Sequence, residues 1–111
     1  MRQVVGHLTD TELLFLSRAF WFARGFDSAL PSFDQDAAAQ TQRADDVSWA
    51  GLIEGFRGVR AATAGFFETL PGDAWSRAGT ASNNPFTVRS LAYVIAGHVL
   101  HHEKVLREKY L

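Results

Sequence analysis

The stretch Leu52-Ile53-Glu54-Gly55-Phe56-Arg57-Gly58-Val59-Arg60-Ala61-Ala62-Thr63-Ala64-Gly65-Phe66-Phe67-Glu68-Thr69-Leu70 decides the fold. Leu52, Phe56, Val59, Thr63, Phe66 and Leu70 follow one another at alternating steps of four and three. That is the rhythm of a helix that lays a single stripe against a bundle. The spacing predicts a helix from about Ser48 to Leu70, closed by Pro71-Gly72. Downstream the rhythm returns in Leu91, Ile95, His98, His102 and Val105. A second long helix is therefore expected after Pro85, with Thr87 as its N-cap, running close to the C-terminus. Upstream, a first helix spans about Arg2 to Arg24 and stops at Gly25, a residue that tolerates the left-handed conformation after a helix end.

Between the first two long helices, Phe26 to Val47 is too long for a plain bundle connection and holds room for a short helix beginning near Asp34. Gly72 to Pro85 is rich in Gly, Ser, Thr and Asn and reads as loop. No segment reads as a strand. The expected architecture is all-α: one domain over residues 1–111, a helical bundle with three long helices.

A chain of 111 residues is long enough to bury a core of its own. Its formal net charge of −1 offers no broad attraction for phosphate backbones or anionic membranes, so nucleic acid and membrane are not expected partners. The absence of cysteine removes disulfides, thiolate ligands and a cysteine nucleophile together. The start, Met1-Arg2-Gln3-Val4-Val5-Gly6-His7, has no signal-peptide apolar core, and the apolar runs are broken by Arg18, Arg24 and Gly97. A cytoplasmic location follows as the expectation.

The first helix carries an apolar surplus. Leu13-Leu14-Phe15-Leu16 and Ala19-Phe20-Trp21-Phe22-Ala23 cover most of its circumference. A helix apolar on all sides is buried on all sides. Two other helices cannot easily cover it, and Leu13, Leu16, Phe20 and Phe22 are the expected interface of a homodimer.

His98 and His102 are four residues apart, so on a helix they lie one turn apart on the same face. Both occupy places where the stripe calls for apolar residues. His7 lies in the corresponding stripe of the first helix, with Val4, Thr11 and Leu14. Three imidazoles on inward stripes of two helices can share a divalent ion and leave coordination positions open, or they can be core histidines satisfied by hydrogen bonds. His101 sits beside the stripe, as a supporting residue or a surface one. Asp10, three residues after His7, can orient an imidazole or be a solvated acid near a helix start. Asp34 and Asp36 can reach the site from the long loop, but acids at the start of a short helix are ordinary N-terminal caps, the favoured reading. Glu12, Arg18, Arg89 and Glu103 read as surface or interhelical charges, and Trp21, Trp49 and Trp75 as core or interface material. No catalytic acid, base or nucleophile is assigned.

Gly6-His7-Leu8-Thr9-Asp10-Thr11-Glu12, followed much later by Ala96-Gly97-His98-Val99-Leu100-His101-His102, closely resembles the DinB-like (YfiT-like) superfamily. Phe33-Asp34-Gln35-Asp36 and Thr87-Val88-Arg89-Ser90-Leu91 add to the likeness, which runs over nearly the whole chain. The resemblance implies an up-down-down-up four-helix bundle holding a divalent metal, nickel or zinc before iron or manganese, on His7, His98 and His102. It also implies a metal-dependent hydrolase, or a thiol S-transferase that takes a low-molecular-weight thiol with its small-molecule substrate. In such an enzyme the ion polarises its ligands or lowers the pKa of a water to about 7.

Two departures stand out. Family chains ordinarily carry a whole helix before the segment equivalent to Arg2-Gln3-Val4-Val5; its absence leaves either a start further upstream or a second subunit that supplies the packing surface. The histidine pair is followed by Glu103-Lys104-Val105, where many members have Gly and Gln. The rival expectation is a non-catalytic helical dimerisation or binding module with a structural or vestigial metal site.

Overall fold

A computed structural model describes residues 1–109 of the chain. Three long helices form its frame: α1 (Arg2–Ala23), α3 (Trp49–Glu68) and α4 (Val88–Lys109), with a short α2 (Gln35–Gln42) between the first two. Each boundary has a local cause. Asp34 caps α2 by accepting the amides of Asp36 and Ala37, and Ser48 caps α3 by accepting that of Gly51. Thr87 and Ser90 form a reciprocal capping box at the start of α4, each side chain accepting the other's amide at 3.0 and 2.9 Å. At the far end of α1, Gly25 takes φ 84°. Its amide bonds Phe22 O while that of Phe26 reaches back to Trp21 O, the paired closure that a left-handed glycine allows.

Contacts along the helices fix their directions. Val5 clusters with Leu52, Glu12 bonds Arg60 and Thr63, and Phe66 packs against the Ala19–Phe22–Ala23 cluster, so α1 and α3 run parallel. His98 meets Thr11, whereas Leu91 meets Phe22, so α4 runs antiparallel to α1. α1 packs on both partners, while α3 and α4 hardly touch. A cleft of about 400 Å³ remains between them, lined by Val5, Leu8, Ile53, Phe56, Val99 and Leu106 among others.

The stretch read as loop contains a β-hairpin. β1 (Ala78–Ala81) pairs antiparallel with β2 (Asn84–Thr87) across Ser82-Asn83. Both turn residues have positive φ, 51° and 63°, which matches the right-handed twist of the strands. This corrects the reading of Gly72–Pro85 as plain loop; the frame of the described residues is helical. The hairpin is not a core sheet but a cover for α1. Gly79 lies flat against the ring of Phe22, and Ala81 is fully buried. Leu30 bonds Thr80 O and Ser82 N, and Arg18 donates to Pro31 O and Ser82 Oγ, both at 3.0 Å.

That cover corrects the expected apolar surplus. Phe22 is only 1% exposed and belongs to the core, and Leu16 is half-buried. Leu13 and Phe20 do stand out, at 52% and 41% exposure. Phe20 shares the guanidinium of Arg24 with Phe66. No helix among the described residues is long and apolar enough to cross a membrane.

Candidate metal centre

The antiparallel pairing of α1 with α4 brings His7 against His98 and His102. Their ring centroids lie 5.2 and 5.1 Å from that of His7, and 4.6 Å from each other, all edge-on. One nitrogen from each of the three lies within 4.8 Å of the other two. The nearest pair is His98 Nε2 and His102 Nε2, 3.2 Å apart. Two nitrogens bound at about 2.0–2.1 Å to one tetrahedral ion are separated by about 3.3–3.4 Å, so the pair already has the spacing of two ligands. A nitrogen of His7 lies within 4.8 Å of both, near enough to complete the set. All three rings are half-buried, so the cluster is reachable from solvent rather than sealed in the core. The group can hold a metal ion.

Burial favours neutral rings at His98 and His102. Burial lowers the pKa of His98 to about 4, reinforced by the proximity of His102, His7 and His101 and opposed by the charge of Glu12. Burial lowers His102 as well, reinforced by the proximity of His7 and His101. A neutral imidazole has the lone pair that a cation needs, so these two rings are prepared for a metal rather than for protons.

The residues around the cluster divide by element. Asp10 is raised above the ordinary carboxylate pKa by burial, with His7 pulling the other way. Its hydrogen bond is to Gln42, whose side-chain amide donates to Asp10 Oδ1 at 3.2 Å and to Gly6 O at 3.1 Å. A Cβ at position 6 would occupy the place of that amide and displace it. His101 is exposed, its ring 5.4 Å from that of His102 and outside the three-histidine group. Asp34 is a helix cap, and Asp36 begins the same helix; neither joins the cluster. Glu12 is an interhelical charge, 2% exposed, accepting from Arg60 and from Thr63 at 2.7 Å each.

Three contacts escaped the sequence reading. Phe15 sets its ring edge-on to His98 with centroids 6.0 Å apart, closing the cluster on the core side. Gln42 arrives from the end of α2, and no local pattern announces it. Thr11 was visible as a member of the His7 stripe, but its hydroxyl faces His98 Nδ1 at 3.4 Å.

The sequence profile of the DinB superfamily matches residues 1–106. No curated protein and no solved structure matches the chain.

Proposed function

The chain belongs to the DinB superfamily, and from that premise we propose that it is a cytoplasmic metal-dependent enzyme acting on a small molecule through an ion held by His7, His98 and His102. The carrying observation is the convergence of three half-buried imidazoles, two of them with nitrogens 3.2 Å apart. An all-imidazole donor set suits nickel or zinc, with iron next and manganese the weakest match. Three protein ligands leave positions open for a substrate. A divalent ion there supplies Lewis-acid polarisation and acidifies a bound water or thiol, the chemistry of hydrolysis or of S-transfer from a low-molecular-weight thiol.

The chain's own residues divide the remaining work. Phe15 keeps water from the core side of His98, and Asp10, held by Gln42, places a carboxylate within electrostatic range of His7. Such a carboxylate stabilises the positive centre and steadies the ring that faces it. His101, exposed beside His102, is the other residue placed to support that ring.

The protein works as a homodimer with α1 in the interface. Support comes from the exposed Leu13 and Phe20 and from the open apolar cleft bounded by α1, α3 and α4. The same features favour the second reading, a non-catalytic dimerisation module. The two separate in one experiment: untagged protein loaded with nickel or zinc is assayed against thiol-transfer and esterase panels beside a chelated control. Turnover that depends on the ion supports the enzyme; its absence across both panels, with the ion bound, favours the module. Light scattering across a dilution series reads the dimer, and a compact monomer that keeps its metal would defeat it.

A further inference from the structure

We infer that Thr11 is a positioning residue that fixes the ring-proton of His98 on Nδ1 and so presents its Nε2 lone pair to the cluster; this rests on the metal-site reading above. The inference follows from counting one proton. The Thr11 hydroxyl lies 2.8 Å from His7 O, 3.3 Å from Leu8 O and 3.4 Å from His98 Nδ1. A hydroxyl has a single hydrogen and two lone pairs, and the hydrogen goes to the shortest, best-placed acceptor, the carbonyl one turn back. What Oγ1 turns toward His98 is then a lone pair. It can only accept, so Nδ1 must be the protonated nitrogen. The contact is long for a hydrogen bond, as such bonds often are before a ligand draws a site together.

The alternative tautomer has a visible cost. With the proton on Nε2, His98 would set a lone pair on Nδ1 against the lone pair of Oγ1. With the proton on Nδ1, His98 Nε2 accepts the Nε2–H of His102 across their 3.2 Å gap in the metal-free protein; with the proton on Nε2, His98 has no lone pair there to offer an ion. Thr11 is 4% exposed, so no water is at hand to relieve that clash. One hydroxyl thus joins the two ligand-bearing helices, taking the carbonyl of His7 on α1 as acceptor and the ring of His98 on α4 as donor. Partners of this kind orient metal-binding imidazoles generally, but here a neutral hydroxyl serves instead of a carboxylate, adding no charge to the centre.

Imidazole nitrogen-15 shifts in the metal-free protein at neutral pH read the tautomer directly. Wild type and Thr11→Ser are expected to show His98 protonated on Nδ1, and Thr11→Val a mixture with substantial Nε2–H. Zinc titrated into the same three proteins should bind Thr11→Val about ten- to a hundredfold more weakly than wild type, with Thr11→Ser within about threefold. A wild-type His98 carrying its proton on Nε2 would overturn the inference. So would a folded Thr11→Val that keeps both the tautomer and the zinc affinity of wild type. If wild type binds no zinc, the metal reading fails by itself, and the tautomer in wild type and Thr11→Val still decides the role of Thr11.

Discussion

Replacing Arg60 with methionine should destabilise the protein by about 2–3 kcal/mol, and replacing Glu12 with methionine in the same chain should restore most of the loss. The Glu12 side chain is 2% exposed and keeps both oxygens occupied: Oε1 by Arg60 Nη1 and Oε2 by Thr63 Oγ1, each at 2.7 Å. Removing the cation strands a buried carboxylate with one hydroxyl. Loss of a partner from a fully buried pair costs about 3–5 kcal/mol. Arg60, however, has a side chain 42% exposed, so water reaches that edge and the figure falls to about 2–3 kcal/mol. Removing both charges ends the stranding, and the double variant should lie within about 1 kcal/mol of wild type. Urea unfolding with linear extrapolation measures all four corners of the cycle; in a domain of this size the single variant should also lose about 10–20 °C of Tm. A single variant within about 0.5 kcal/mol of wild type, or a double variant no better than the single, would refute the assignment of Glu12 as a paired interhelical charge.

Gly79→Ala should cost about 2–3 kcal/mol, because the added methyl would enter the ring of buried Phe22. Gly58→Ala, with nothing within 4 Å of its Cβ, should instead be neutral or stabilise by up to about 1 kcal/mol in thermal unfolding; equal losses at the two positions would contradict the hairpin's seat on α1. Metal-free protein should lose stability as the pH falls from 6.5 toward 4. His98 takes its proton in the unfolded chain at the higher value but in the folded one only at about 4, so the unfolded state binds more protons throughout that window. The full shift corresponds to about 3 kcal/mol, and solvent screening at a half-exposed site reduces it to about 1–2 kcal/mol. Urea midpoints at several pH values, with His98→Asn as reference, would show the slope; an equal slope in both proteins would count against it.

The parts of this fold that the sequence made readable are those governed by local repetition. The four-three spacing of Leu52 to Leu70 predicts α3, and Leu91, Ile95, His98 and His102 keep their stripe in α4, with Leu91 and Ile95 buried and the histidines half-buried. Gly25, Asp34, Ser48 and Thr87 end or begin helices because their chemistry suits those positions whatever the surroundings. The hairpin lacked such a signal. Its strands are four residues each, contain Gly79 and Pro85, and show no alternation of apolar and polar side chains. Only the turn at Ser82-Asn83 hints at it. Phe22 reads as surplus in the sequence because the strand that covers it carries no signal of its own. Three of the site's histidines were legible as misfits in an apolar stripe. Gln42 and the proton bookkeeping of Thr11 depend on which helices meet, and spacing along the chain does not carry that.

If His7, His98 and His102 together hold one divalent ion, metal binding by untagged protein will show it. Zinc and nickel titrations followed by calorimetry, with elemental analysis of the purified protein, should give one ion per chain in wild type. His98→Ala and His102→Ala should each abolish that binding while keeping the helical circular-dichroism spectrum. Folded variants that both retain wild-type stoichiometry and affinity would contradict the account.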